Sequence, residues 1–410
     1  MQARSTFDWR TLGWLILSAV GGMMGLSAAA LLVFLGFFSL TMPTEEANAG
    51  MILNLAWAAG LVGLLCLPAG YLALRRLLGR AAPGTVVHSN KTHLVVTIAM
   101  ITLPLWFGLA ALASRSGISW LIMPPLLLVL ILLPLAWFLS AGARGLPVSA
   151  DRAWKLGSFS LAITMPLTLI AELVLLLALL VGWGLWIASQ PDLLNQFWNF
   201  STQFQQLTDP MEIQAELVNL LHQPGVIPGV LVVLGFITPL LEELLKPLAI
   251  LVFWNKHLTP RNGFLAGMVC GAAFAMLESL NAMSAITDPT WLALAFGRIG
   301  TSLLHVVTSG LVGWGMGWAA SQKRPGKLLA ALAAAVALHG VWNVFSILQG
   351  VSSLVDIAPF TQLGRFGPFV LGGLAVLNLG ILWWMNRRLR LADDTPLVVS
   401  SGAMEMTKEE

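Results

Sequence analysis

The chain has 410 residues, of which 57% are hydrophobic and only 10% charged, against about 25% charged in soluble domains. That excludes a soluble globular protein and leaves an all-α, polytopic integral membrane protein. The formal net charge of +3 comes without a basic, aromatic-interleaved patch, so nucleic acid is excluded as a partner.

About ten apolar segments reach or approach the roughly 20 residues that a spanning helix needs. They lie near 12–40, 51–74, 94–114, 118–141, 160–188, 226–254, 262–284, 291–320, 328–349 and 366–387. Connections rich in Arg75, Arg76 and Arg80, in Arg144, Arg152 and Lys155, in Lys256 and Arg261, and in Lys323, Arg324 and Lys327 alternate with acidic ones, Arg115 and Arg365 being the exceptions. The acidic set holds Glu45 and Glu46, then Asp192, Asp209, Glu212 and Glu216, then Asp288. Lys and Arg are retained on the cytoplasmic side, so both termini read as cytoplasmic. The long first segment has no small-residue cleavage site and reads as an anchor. Cys66 and Cys270 fall in separate spans and give no disulfide framework.

Four regions follow from this pattern. Residues 1–188 form a five-helix membrane region whose intramembrane polarity is confined to Glu172. We read that glutamate as paired with a neighbouring helix's polar group, with service to the site as the alternative. Residues 189–224 form an extracytoplasmic amphipathic segment, with Trp198, Phe200 and Phe204 among polar residues and a helix start at Asp209-Pro210-x-Glu212. Residues 225–388 form a second membrane region, and 389–410 a polar, disordered tail.

The second membrane region carries the chemistry. Glu242-Glu243-x-x-Lys246 lies in the sixth span, Phe274-x-x-x-Glu278 in the seventh, Arg298 through His305 in the eighth and His339-x-x-x-Asn343 in the ninth. An ionised carboxylate at the bilayer centre costs roughly 2.5 to 3.5 kcal/mol, so three of them demand a use. Glu242 and Glu243 differ by about 100° around a helix, so one can face a cavity while the other supports it. Lys246 lies one turn on, where it neutralises part of the charge. Pro239 and Pro247 remove backbone donors on either side of the pair, which predicts a kinked or opened helix there. Gly263, Gly267 and Gly271 form a small-residue ridge on the side that continues to Glu278. That ridge is expected to bring Glu278 near the glutamate pair. In the eighth span Arg298, Ser302, His305 and Ser309 form one polar stripe.

Closely spaced carboxylates can take a proton from water and return it to a leaving amine. Two imidazoles and an amide can stabilise an oxyanion or, with the glutamates, hold a divalent metal. Both routes lead to peptide hydrolysis, and no Gly-x-Ser-x-Gly, His-Glu-x-x-His or paired membrane Asp competes with them. The expected catalytic set is Glu242, Glu243, Glu278, His305, His339 and Asn343, with Lys246 and Arg298 as supporting charges. The candidate metal set is Glu242, Glu278, His305 and His339, with zinc the first choice and no cofactor the alternative. A proton-coupled transporter also builds carboxylate and histidine relays. No internal repeat links the two halves, as transporters usually show. A non-catalytic scaffold, with these groups serving assembly, is the other rival.

Glu242-Glu243-x-x-Lys246, Phe274-x-x-x-Glu278, Arg298-x-x-Thr301-x-x-x-His305 and His339-Gly340-x-x-Asn343 together resemble the PrsW family of intramembrane proteases over roughly residues 225–350. The motifs stand in family order on successive helices. The resemblance implies a helical PrsW/CAAX-protease-like core and gives Glu242, Glu243, Glu278, His305, His339 and Asn343 the site role. It implies a membrane-anchored protein or peptide substrate, an anti-sigma-factor-like one among them, and contact with membrane lipid. The related CAAX-type enzymes carry His where this chain has Glu278.

Overall fold

The computed structural model describes residues 8–41, 46–80, 86–87, 89–190, 195, 198, 201–202, 210–252, 258–284 and 291–392. The chain is an all-α bundle. Nine helices among the described residues are long and apolar enough to cross a membrane, or ten if one bent pair forms a single span. All ten segments expected from the sequence correspond to these.

In the first half, α1 (Trp9–Ser39), α2 (Glu46–Leu77) and α5 (Ser119–Ala143) are single helices. Asp8 caps α1 by accepting from the backbone amides of Arg10 and Thr11. The third segment is not one helix: α3 (Ser89–Met100) and α4 (Leu103–Ala113) meet at 41°. Pro104, in the first turn of α4, supplies no amide to carry the helix through. The fifth runs from α6 (Ala150–Phe159) through a π-helical turn, Ser160–Thr164, into α7 (Met165–Ala188). Pro166 follows that turn at once, where its missing N–H fits a widened ladder. A two-residue ribbon pairs Val86 with Ser149 and Val87 with Val148.

Of the 189–224 segment, α8 (Pro210–Leu221) is helical, in keeping with the expected start. Trp198 is exposed. The expected cap Asp209, the rings of Phe200 and Phe204, and Glu45, Asp192, Lys256 and Asp288 of the charge pattern lie outside the described residues.

The sixth span is broken, as its prolines predict. It consists of α9 (Val226–Val232), a π-helical turn (Val233–Ile237), α10 (Thr238–Leu245) and α11 (Leu248–Leu251), with Lys246 and Pro247 between the last two. α12 (Pro260–Ser284), α13 (Trp291–Gln322), α14 (Pro325–Leu354) and α16 (Gly367–Leu391) are the remaining spans, with the short α15 (Phe360–Arg365) before the last. α16 passes the 388 boundary expected for a disordered tail, and Leu389 is buried. Arg387 and Arg388 lie over the rings of Trp383 and Trp384, which carries the helix through its basic end. Residues 393–410 lie outside the described residues.

The core sits where α5, α12, α13 and α16 meet, around Leu130, Phe138, Phe264, Met268, Val306 and Met385. α12 is the hub: 83% of its apolar window is buried inside the protein, against 11% for α1. A β-carbon on Gly263, Gly267 or Gly271 would run into the backbone oxygens of Gly313, Ser309 and His305 respectively. The glycine ridge therefore closes α12 onto α13, backbone to backbone. It does not face the sixth span, as the sequence led us to expect. Glu278 is drawn to α13 first and reaches the glutamate pair through His305 and then Lys246.

Candidate active site

The glutamate pair sits on α10, whose eight residues are bounded by a π-turn and by the Lys246–Pro247 break. Burial separates the two glutamates: Glu243 is fully buried, and Glu242 is 6% exposed. The azimuthal separation expected from the sequence is thus realised as one anchored carboxylate and one at the edge of the cluster. Glu243 Oε1 gathers three partners. Lys246 Nζ donates to it at 2.8 Å, Thr308 Oγ1 at 3.1 Å, and His339 Nδ1 lies at 3.0 Å. Facing a carboxylate, that Nδ1 is the donor, so a protonated nitrogen of His339 points at Glu243.

The break at Lys246–Pro247 turns the lysine back into the protein, where it is 1% exposed. Its Nζ lies 2.8 Å from Glu242 Oε2 as well as from Glu243 Oε1. The same ammonium meets His305 Nδ1 at 2.8 Å and stands 4.3 Å from the centroid of the Phe274 ring. An ammonium only donates, so His305 Nδ1 accepts. His305 Nε2 then carries the proton and donates to Glu278 Oε2 at 2.6 Å. Arg298 holds the same Glu278 oxygen at 2.8 Å and donates through Nε to Ser279 Oγ at 3.3 Å. Both imidazoles are thus oriented by a carboxylate, and their rings meet edge to face at 4.9 Å between centroids. With the glutamates ionised, three carboxylates and two cations leave the cluster one negative charge in excess.

On the glutamate pair, Glu243 Oε2 is buried without a hydrogen bond, and Glu242 Oε2 keeps capacity beyond its contact with Lys246. Glu242 Oε2 lies 3.9 Å from His339 Nε2, too far for a direct bond and suited to a bridging water. Glu278 has the most open side chain of the cluster, 36% exposed.

The other expected residues divide. Asn343 stands one turn from His339, but its Nδ2 donates to the Leu234 carbonyl at 3.0 Å. It ties α14 to the π-turn of the sixth span and has no described contact with the glutamates. Ser309 faces Gly271 with its hydroxyl buried and unbonded. One group escaped the sequence reading and one was set apart from the site by it. Thr308 is the first, visible in retrospect only as the residue three beyond His305. The other is Glu172, on α7, which packs against α10. It lies within electrostatic reach of Glu242, Lys246 and Glu278, and its buried Oε1 has no hydrogen-bond partner. The polar partner expected for it is therefore not found at that oxygen.

Glu242, His305 and His339 each offer a ligand atom within 4.8 Å of the others, so these three residues could hold a metal ion. Glu278, also in the expected set, is not in this group. The Lys246 ammonium, however, lies 2.8 Å from donor atoms of two of the three. Zinc bonds such donors at roughly 2.0 to 2.2 Å. A divalent ion about 3 Å from an ammonium is opposed by about 11 kcal/mol at an effective dielectric of 20. The donor set fits a metal by type but not alongside Lys246 as it lies, and we route no chemistry through one.

No curated protein and no solved structure matches the chain. A family model does match, over residues 172–370: that of the PrsW family intramembrane metalloproteases. The matched stretch starts at Glu172, upstream of the motifs that first suggested the likeness, and takes in every residue of the cluster. Over these residues, just under half of the chain, the protein is similar to the PrsW family of intramembrane metalloproteases.

Proposed function

We propose that the protein is an endopeptidase of the cytoplasmic membrane that hydrolyses a peptide bond of a membrane-associated protein, using water activated by Glu242 without a metal. The observation that carries this reading is the 3.9 Å gap between Glu242 Oε2 and His339 Nε2, both buried, with the carboxylate oxygen held otherwise only by the Lys246 ammonium at 2.8 Å. A water in that gap donates one hydrogen to each atom and keeps a lone pair for the carbonyl carbon. Glu242 takes its proton as the oxygen attacks and delivers it to the amide nitrogen as the C–N bond breaks. Glu243 holds His339 in the tautomer that accepts at Nε2, as a carboxylate does for a catalytic imidazole. Glu278 and Arg298 hold His305 from the other side. Asn343 keeps α14 in register with the glutamate helix.

Zinc, the sequence-based first choice among cofactors, would need Lys246 to move away. The metal-free route is the one supported by the cluster's geometry. The substrate is a protein anchored by a single span, an anti-sigma-factor-like one among those the family suggests, and both termini of the enzyme face the cytoplasm. In proteoliposomes a tethered single-span reporter is expected to be cut by the wild-type protein. Undiminished cleavage by a Glu242→Gln, Glu243→Gln double variant would end the proposal.

A further inference from the structure

We infer that Lys246 is a built-in cation that takes the place of a divalent ion among Glu242, His305 and His339, and that removing its charge opens a metal site in this protein. Three acceptors stand at 2.8 Å from Nζ: one oxygen of Glu242, one of Glu243 and Nδ1 of His305. The Phe274 ring covers the ammonium at 4.3 Å, and the residue is 1% exposed. Lys246 reaches them because the helix ends at Leu245 and Pro247 stops it from resuming until Leu248.

Charge and geometry agree. Glu242 and Glu243 with Lys246 sum to one negative charge. Without the ammonium they sum to two, which a divalent ion would neutralise. Two of the three donor residues that could hold a metal are the ones Lys246 touches. While Nζ donates to His305 Nδ1 and His305 Nε2 donates to Glu278, neither nitrogen of that ring is open to a metal. Losing the ammonium frees Nδ1. The site is then built from the same three residues, with His339 Nδ1–H still held by Glu243 and Nε2 turned inward, the arrangement that orients a metal-binding histidine.

The test reads metal binding, so it stands whether or not the proteolytic reading does. Full-length wild-type, Lys246→Met and Lys246→Met, His339→Gln proteins, stripped with a chelator in detergent, are titrated with cobalt(II) alone. Bound metal per chain and the visible absorption of low-coordinate cobalt are recorded. The expected result is that Lys246→Met binds cobalt at least about a hundredfold more tightly than wild type, as loss of a like charge at contact distance predicts. The double variant is expected to lose that gain. A folded Lys246→Met protein that binds no more cobalt than wild type would overturn the inference. Should that variant fail to fold, the wild-type arm decides alone. One cobalt per chain that disappears in a His339→Gln protein overturns the idea, and its absence upholds it.

Discussion

Among the helix pairs that glycine closes in this protein, two serve different ends. In the first half, a β-carbon on Gly25 of α1 would come within 2.6 Å of the Gly63 amide of α2, and one on Gly63 within 2.8 Å of the Leu26 amide. The outer face of that pair is apolar and exposed, with Met23, Phe34 and Trp57 among its exposed side chains. In the second half, α12 and α13 meet as closely but carry Phe274, Glu278, Arg298, His305 and Thr308 along the contact. Close glycine packing is therefore a general device of this bundle. What distinguishes the second pair is the polar register laid beside the glycines, which a third helix, α10, completes with Glu242, Glu243 and Lys246.

That contrast can be broken in four ways. The largest effect is expected from Glu243→Ala. It leaves Lys246, Thr308 and His339 without their shared oxygen, and stranding a buried charge costs about 3 to 5 kcal/mol. Thermal unfolding in detergent should drop sharply and cleavage should vanish. Next comes Glu242→Gln, which keeps the shape and removes the base. Cleavage of the reporter should fall by about 10² to 10⁴ with little change in thermal stability.

The third test sets the two glycine pairs against each other. Gly271→Ala and Gly25→Ala both overpack a helix contact, for about 1 to 3 kcal/mol each by thermal unfolding. Only Gly271→Ala, whose new methyl meets the His305 carbonyl, should lower kcat. An equal loss of kcat in Gly25→Ala would mean that the first pair is not separate from the chemistry. The smallest effect is expected from Thr308→Val. It deletes one hydrogen bond to a charged oxygen, about 1.5 to 3 kcal/mol before the remaining donors compensate, and should leave KM unchanged.

Much of this was legible in the residues themselves. Uninterrupted apolar runs marked the spans, and Pro239 and Pro247 announced the broken helix around Glu242 and Glu243. Mid-span carboxylates and imidazoles marked the cluster because nothing else in an apolar helix makes them tolerable. What the sequence could not supply was the partner of each face. The glycines of α12 pointed to a close neighbour without saying that it was α13, so Glu278 was expected beside the glutamate pair and lies a histidine and a lysine away. Thr308 is too common a residue in a helix to stand out before Glu243 is seen beside it. Glu172 was set apart because it lies in the first half of the chain, while in space its helix packs on α10. Asn343 shared a turn with His339, and only the π-turn at Leu234 shows why its amide is spoken for.

The central claim is that water, activated at Glu242, breaks the peptide bond. The most direct measurement is a single turnover of the reconstituted protein on a tethered single-span substrate in water labelled with heavy oxygen, with the products weighed by mass spectrometry. The account predicts one heavy oxygen at the new C-terminal carboxylate for the wild-type protein and almost no product from Glu242→Gln in the same time. Product formed by Glu242→Gln at the wild-type rate, or a new carboxylate without label, would contradict it.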